Sequence, residues 1–202
     1  FNNKTVLDIG CGAGGKSLYY ITQGAKHVYG VDVVASYKEE SENLASTLNL
    51  NDQFTFICAD AKELPYPDNS FDTIIMNDAM EHVAEPEAVL KEVLRVLNKA
   101  GRVYINFPPY NHPFGAHLSD AIFIPWVHLF FTEKTLIKDY KKLVENLPDG
   151  QNRIDFRISK DKNGKEYFSY INKMTIKRFN KILKKMNITP SYYNELPLRN
   201  IL

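Results

Sequence analysis

The sequence contains few of the residues and runs that mark several classes of protein. It has two cysteines among 202 residues, Cys11 and Cys58, which is too few for a disulfide scaffold and favours a reducing, cytoplasmic setting. No apolar run approaches the roughly 20 residues that a membrane-spanning helix needs, and no signal peptide is visible. The formal net charge of +1 gives no global attraction to nucleic acid or to an anionic membrane.

The first hundred residues alternate between strand and helix patterns. Because this alternation is typical of βαβ units, it predicts an α/β fold with a doubly wound, mostly parallel sheet. The hydrophobic fraction of 44% is sufficient for the core of one domain of this size. Strands are predicted at residues 5–9, 27–33, 54–59, 71–77 and 102–107, and a helix with Pro86 in its first turn is predicted to end at Gly101.

The alternation stops after Phe107. Residues 108–172 are therefore predicted to be an insertion after the fifth strand, and residues 1–107 and 173–202 to form the core. Ligands of doubly wound sheets bind at the carboxyl ends of the strands, so we expect the insertion to be a substrate cap. Within and after it the pattern predicts a helix at 132–147, a hairpin of 153–159 with 166–170, a helix at 175–186 and a strand at 188–193.

A glycine-rich loop follows the first predicted strand, in the run Val-Leu-Asp-Ile-Gly-Cys-Gly-Ala-Gly-Gly that ends at Gly15. Gly10, Gly12 and Gly15 satisfy the dinucleotide pattern G-x-G-x-x-G, so the loop alone leaves an NAD enzyme open. Asp8 precedes the first glycine by two residues and gives D-x-G-x-G-x-G through Gly14. Two further motifs follow: Asp32 at the end of the second strand, and Asp60-Ala61 after the third.

These motifs in this order resemble the class I S-adenosylmethionine-dependent methyltransferases, over about residues 5–107 and the return at 175–193. The resemblance implies that Asp8 serves the ammonium group of the methionine moiety, Asp32 the ribose hydroxyls, and Asp60 with Ala61 the adenine. It also favours S-adenosylmethionine over NAD, because a pyrophosphate would be poorly served by a carboxylate as close as Asp8. The cofactor-binding residues that it implies are Asp8, Gly10, Cys11, Gly12, Gly14, Asp32, Val33, Asp60, Ala61 and Asn77.

The candidate catalytic residues, Glu81 and His82, follow the fourth strand. Asp78 lies at i, Glu81 at i+3 and His82 at i+4, which would place the three on one face of a helical turn. This segment, with Val83 and Pro86, resembles the E-x-x-E-H-V-x-x-P stretch of two metal-assisted O-methyltransferase groups. One group acts on catechol-like rings in ubiquinone biosynthesis, and the other on the terminal 2′-hydroxyl of small RNAs.

In those two groups two acids and the histidine hold a divalent ion, so the resemblance raises a divalent metal as a second cofactor. Here Asp78 replaces the first glutamate with a shorter side chain, which puts that site in doubt. The candidate further ligands are His112, His117 and His128. Without a metal, Glu81 or His82 would act as the base that a neutral oxygen or nitrogen acceptor needs.

The sequence predicts a methyltransferase that modifies an oxygen or nitrogen of a small molecule, with or without a metal. Two alternatives stay open: methylation of RNA or protein, and a non-catalytic cofactor-binding module. The basic residues near the last helix favour a macromolecule, but no aromatic-and-basic groove pattern accompanies them, and nucleic acid is not the expected partner. They are Lys173, Lys177, Arg178, Lys181, Lys184 and Lys185. No membrane contact is expected, and the sequence determines neither the acceptor nor the oligomeric state.

Overall fold

Five parallel strands form the main sheet in a computed structural model that describes residues 1–196. They are β1 (Thr5–Ile9), β2 (His27–Asp32), β3 (Phe54–Cys58), β4 (Phe71–Asn77) and β5 (Leu97–Asn106). The strand order is β3-β2-β1-β4-β5, and every neighbouring pair is parallel. The predicted α/β class and doubly wound sheet are therefore confirmed. The winding direction reverses between β1 and β4, so the loops after these two strands border the crevice where such sheets bind ligands.

Helices α1 (Gly15–Thr22), α2 (Tyr37–Thr47) and α3 (Pro86–Val96) connect the strands and cover both faces of the sheet. Leu7 in β1 and Ile74 in β4 are fully buried, as expected for strands with helices on both sides. In α3 the buried residues recur at helical spacing (Val89, Leu90, Val93 and Val96), and Pro86 begins the helix, where its missing N–H is not needed.

The junction between α3 and β5 differs from the prediction. The helix ends at Val96 rather than at Gly101, and β5 begins at Leu97, five residues before the predicted strand. Its pairing with β4 shifts register between Phe71 and Thr73. Gly101 lies in the extra length of β5 that this irregularity absorbs, which is a common place for glycine in a strand.

The described residues after β5, up to residue 196, form four helices and a small hairpin. The elements are α4 (Val127–Phe130), α5 (Glu133–Val144), α6 (Gly150–Arg157), β6 (Ile158–Lys160), β7 (Glu166–Phe168) and α7 (Ile176–Lys185). Residues between 116 and 171 build a hydrophobic cluster of their own around Tyr140 and Leu118. By contrast, α7 returns to the sheet and buries Phe179, Ile182 and Leu183 in the cluster that includes β1, β4 and α3.

Two predicted elements are wrong. The first arm of the hairpin, 153–159, is mostly helix α6, and only three residues of β6 pair with β7. Residues 188–193 form no strand; most of them are exposed, and they pair with neither edge strand of the main sheet, β3 or β5. The division into a core of 1–107 and 173–202 and an inserted cap of 108–172 stays a prediction, and residues 197–202 lie outside the described residues. No helix within residues 1–196 has the length and apolar character needed to cross a membrane.

Candidate active site

The glycine loop after β1 lies directly against the loop after β4. Gly10, Gly12 and Gly14 have φ angles of 75°, 53° and 80°, in the left-handed region that favours glycine. A Cβ atom on Gly10 would lie 2.8 Å from the Cβ of Ala79. Because Ala79 begins the segment that carries Glu81 and His82, this close approach joins the predicted cofactor loop to the predicted catalytic loop.

Asp32 holds the glycine loop to the end of β2. Its Oδ2 accepts a hydrogen bond from the Gly12 amide at 2.9 Å, and its Oδ1 accepts one from the Val34 amide at 3.0 Å. Each carboxylate oxygen retains a further lone pair. The adjacent Val33 side chain is 68% exposed, which is unusual for valine and leaves an apolar surface beside the carboxylate.

Asp8 lies beneath the loop rather than in the open crevice. It is buried, and its Oδ2 accepts a hydrogen bond from the Ser17 hydroxyl at 2.6 Å. Burial raises the pKa of Asp8 to about 6, although the Ser17 hydrogen bond and the charge of Lys16 act in the opposite direction. In this arrangement Asp8 joins β1 to α1, and its contact with a methionine ammonium stays a prediction.

The other predicted cofactor residues lie at the ends of β1, β3 and β4. Asp60 is exposed after β3, and its Oδ1 accepts a hydrogen bond from the Lys62 amide at 3.0 Å, while Ala61 beside it is buried. Cys11 is half-buried in the glycine loop. Asn77 is half-buried at the end of β4, where its Nδ2 donates a hydrogen bond to Asp78 at 2.9 Å. The predicted cofactor residues thus lie at the carboxyl ends of β1, β2, β3 and β4, along one edge of the parallel sheet.

The prediction that Asp78, Glu81 and His82 share one helical face is wrong. Asp78 has a φ angle of 54°, and this left-handed residue turns the chain as soon as β4 ends, so that residues 78–85 form turns rather than a helix. Its exposed carboxylate lies 3.3 Å from the Lys16 ammonium at the start of α1. Asp78 therefore contacts the glycine-loop side of the crevice and does not join the group formed by Glu81 and His82.

Glu81 is a buried acid whose carboxylate has no hydrogen-bond partner within residues 1–196. Its residue is 3% exposed, and neither carboxylate oxygen has a partner among the described residues. Burial raises the pKa of Glu81 to about 7, and the charge of Asp78 adds to that increase. Unpaired buried acids are rare because they destabilise the fold, so this one indicates a function for the carboxylate.

Two histidines face this carboxylate. The Nε2 atoms of His82 and His117 each lie 3.9 Å from Glu81 Oε1. The Nδ1 of His82 donates a hydrogen bond to the Tyr170 carbonyl at 2.6 Å. Because a carbonyl can only accept, the neutral His82 ring carries its proton on Nδ1 and presents the lone pair of Nε2 to the site. Burial lowers the pKa of His117 to about 4, so this ring is neutral at pH 7.

Of the three histidines proposed as further ligands, the structure brings only His117 to Glu81 and His82. Ligand atoms of these three residues all lie within 4.8 Å of one another. The Nε2 of His128 bonds instead to the Tyr110 carbonyl at 2.6 Å, and His112 Nδ1 accepts from the Phe114 amide at 3.3 Å. The sequence predicted His117 as a candidate only because it is a histidine in the insertion. No sequence pattern predicted that Tyr170 would contact this group.

The aromatic residues of the insertion do not converge on one pocket. Just before the insertion, Phe107 packs on Phe179 with ring centroids 5.1 Å apart, whereas within it Phe123 and Phe130 are 75% and 79% exposed. Asp120, a polar residue of the same segment, accepts a hydrogen bond from the Tyr140 hydroxyl at 2.9 Å. Within the insertion, the polar residues that contact the site are therefore His117 and Tyr170, whose hydroxyl bonds to the His117 carbonyl.

Comparisons with known proteins agree on the first half of the chain. Residues 7–105 match a family model described as a methyltransferase domain. The chain is 32% identical over 102 residues to a probable chloroplastic tocopherol O-methyltransferase of Oryza sativa subsp. japonica, a match that covers 50% of this chain and 28% of that protein. It is 35% identical over 100 residues to methyltransferase GfsG of Streptomyces halstedii, covering 50% of this chain and 36% of the relative.

A solved structure, that of the PH0226 protein of Pyrococcus horikoshii OT3, is also similar. The match covers 52% of this chain and 46% of that protein, with 34% sequence identity and a TM-score of 0.49. The chain thus spans no more than 36% of the length of the two curated relatives above. The region matched by the family model includes the glycine loop, Asp32, Asp60, Glu81 and His82, and it ends before the insertion that supplies His117.

Proposed function

Because residues 7–105 form a class I S-adenosylmethionine-dependent methyltransferase domain, we propose that the protein transfers a methyl group to an oxygen or nitrogen of a small molecule. The observation that carries this proposal is the buried Glu81 carboxylate, which lies near two histidine Nε2 atoms and has no hydrogen-bond partner in the described part of the chain. This group lies beside the glycine loop, at the reversal point of the sheet.

The residues around the glycine loop fit S-adenosylmethionine. Asp32 has acceptor lone pairs for two hydroxyl groups, Val33 supplies an exposed apolar surface, and a Cβ on Gly12 would meet no atom within 4 Å. Open space at Gly12 and acceptors at Asp32 suit a nucleoside that lies over the loop. Asp60 and Ala61 at the end of β3 are the residues we assign to the adenine.

S-adenosylmethionine, when bound, supplies an electrophilic methyl group on its sulfonium. The protein then has to align the acceptor, exclude water and accept the proton that a hydroxyl or amine loses. Glu81, with a pKa near neutrality, is suited to accept that proton at pH 7 to 8. The Nε2 atoms of His82 and His117 can accept hydrogen bonds from the acceptor group and orient it toward the cofactor side.

A small acceptor is favoured over RNA or protein by the burial of this group. Glu81 is almost inaccessible, and His117 from the insertion lies over it, so a large polymer would have to displace the insertion. The rice relative is named for O-methylation of tocopherol, which is also a small molecule. The basic residues Lys181 and Lys185 lie on the outer side of α7, where Lys185 pairs with Glu87.

Calorimetry with S-adenosylhomocysteine and with NAD tests the cofactor assignment. We expect binding of S-adenosylhomocysteine and no binding of NAD, and loss of that binding in Asp32→Ala because the acceptors for the ribose hydroxyls are gone. Asp139→Ala, which removes an exposed acid on α5, is the matched control and should bind normally. Binding of NAD in place of S-adenosylhomocysteine would contradict the proposal. Transfer of labelled methyl to metabolite fractions, but not to RNA or protein, would identify the acceptor class.

Metal assistance is a second candidate mechanism, favoured by the contact of Glu81, His82 and His117. One carboxylate and two imidazole nitrogens suit a divalent transition metal. Histidines that bind a metal usually donate the proton of their other ring nitrogen to a carbonyl or carboxylate, as His82 does to the Tyr170 carbonyl. The donor set therefore fits an ion, which when bound would lower the pKa of an acceptor hydroxyl.

Thermal melts with Mn²⁺, Mg²⁺ or Zn²⁺ test this second mechanism. A metal present at 100 times its Kd stabilises the folded state by about 2.7 kcal/mol, which a melting curve resolves easily. We expect the increase to disappear in His117→Ala and to persist in His112→Ala, since His112 lies outside the group. Activity that EDTA leaves untouched, together with melts that do not respond to any of the ions, would rule the metal out and leave Glu81 as the base.

A further inference from the structure

Residues 170–172 connect the insertion to all three residues of the candidate active site. They follow β7 and lead toward α7, and the side chains of Tyr170 and Ile171 are buried in the core of the insertion. The match to the family model ends at residue 105, so this stretch lies outside the matched region. It contacts Glu81, His82 and His117, which lie between 53 and 91 residues earlier in the sequence.

Tyr170 holds both histidines. Its backbone carbonyl accepts the Nδ1 proton of His82 at 2.6 Å. Its side-chain hydroxyl shares its single hydrogen between the carbonyl oxygens of Ala116 and His117, the latter at 2.8 Å. His117 has a φ angle of 51°, an unfavourable conformation for a residue other than glycine that surrounding contacts have to maintain. The Tyr170 hydroxyl bonds directly to the carbonyl oxygen of that residue.

Asn172 holds the catalytic loop. Its amide N–H donates to the Glu81 carbonyl at 2.8 Å, and its side-chain Nδ2 donates to the carbonyls of Met80 at 2.8 Å and Val83 at 2.7 Å. The side-chain Oδ1 faces the Arg178 guanidinium at 3.4 Å, which is consistent with Nδ2 pointing to the loop. Residues 80–83 belong to no helix or strand, so these three bonds supply partners that regular structure would otherwise provide.

From these contacts we propose that Tyr170 and Asn172 are positioning residues, which assemble Glu81, His82 and His117 when the insertion folds. The proposal rests on the proposed function, because it gives these three residues their catalytic role. It predicts that the site loses its geometry when the hydrogen bonds from Tyr170 or from Asn172 are removed. Cofactor binding, which depends on residues at the ends of β1, β2 and β3, stays intact.

Side-chain ¹⁵N–¹H spectra of the histidines test the proposal without an assay of activity. In Tyr170→Phe we expect the His117 signals to change while His82 keeps its Nδ1 proton, since the backbone carbonyl remains. In Asn172→Asp, where the donors become acceptors that face two carbonyls, His82 should exchange between both tautomers. Replacing His82 and His117 one at a time with glutamine assigns the signals. Gln151→Ala, which deletes the exposed hydrogen bond to Asp155 within α6, should change neither histidine.

The kinetic readout separates positioning from cofactor binding. Removing a hydrogen bond that orients a site residue typically lowers activity by about 10- to 100-fold. We expect kcat of both variants to fall by this factor, and their affinity for S-adenosylhomocysteine to stay unchanged. Wild-type spectra for both histidines in both variants would overturn the proposal. If the wild type transfers no methyl group, the proposed function fails while the spectra still decide whether residues 170–172 orient the histidines. If Asn172→Asp does not fold, Tyr170→Phe, which loses a single oxygen, carries the test alone.

Discussion

Replacing Glu81 with glutamine should make the protein more stable at pH 8 and at the same time remove most of its activity. The wild-type carboxyl is buried without a partner, and burial raises its pKa from 4.5 to about 7. Between these two values the folded state keeps a proton that the unfolded state has lost. The free energy of unfolding therefore falls as the pH rises through this window, by about 3 kcal/mol if the full shift is realised.

Glutamine carries no charge at any pH, so Glu81→Gln removes this dependence. We expect the variant and the wild type to melt at similar temperatures at pH 5, where Glu81 is protonated, and the variant to melt higher at pH 8. Denaturant unfolding at both pH values, with a chelator present, measures the difference. Glu63→Gln, a change of an exposed glutamate, is the control and should show no such divergence. Equal stability differences at pH 5 and pH 8 would contradict the burial of an ionisable Glu81.

The activity of Glu81→Gln should fall by about 10²- to 10⁴-fold, the usual contribution of a positioned acid or base. Glutamine keeps the shape of the side chain but cannot accept the proton of the acceptor. Affinity for S-adenosylhomocysteine should stay near that of the wild type, because the ends of β1, β2 and β3 are unchanged. A variant that gains stability at pH 8 and keeps full activity would show that the buried carboxylate has no part in the reaction.

Gly10→Ala should destabilise the protein by about 2–6 kcal/mol, for two reasons that can be separated. A non-glycine residue in the left-handed region costs about 1–3 kcal/mol, and φ at Gly10 is 75°. The new methyl group would also lie 2.8 Å from Ala79 Cβ. Forcing extra volume into a packed contact typically costs a further 1–3 kcal/mol or so. Urea or guanidinium unfolding measures the total.

Gly164→Ala isolates the conformational part of this effect. Gly164 has a φ angle of 78°, but a Cβ there would meet no atom within 4 Å, so only the backbone term applies. The double variant Gly10→Ala with Ala79→Gly should recover part of the loss by restoring space. If Gly10→Ala and Gly164→Ala lose the same stability, the contact between the glycine loop and the catalytic loop contributes nothing measurable.

The fold of the first hundred residues was predictable because its signals are local. Hydrophobic periodicity located all five strands of the sheet, and Pro86 marked the start of α3 within one residue. The junction at Leu97 was missed because a register irregularity in the β4–β5 pair, rather than a propensity, decides where β5 begins. The prediction of a hairpin arm at 153–159 was wrong for a similar reason. Strand propensity in a short stretch depends on the residues packed around it, and here most of the stretch belongs to helix α6.

The candidate site was only partly predictable. Glu81 and His82 were identified by their motif, and the structure places them together, but Asp78 was grouped with them on the assumption of a helical turn. A positive φ at Asp78 breaks that assumption. This backbone conformation has no reliable signature in an aspartate, so spacing alone could not reveal that the carboxylate would turn toward Lys16.

The sequence by itself determined the sheet, the glycine loop and the acids that end β2 and β3, because each is encoded within a few adjacent residues. Only the tertiary structure decided that His117, and not His112 or His128, lies against Glu81, and that Tyr170 and Asn172 hold the group together. These contacts join residues 36 to 92 positions apart, through the packing of the insertion on the loop after β4. Packing of this kind depends on the whole folded core, and no local pattern of residues records it.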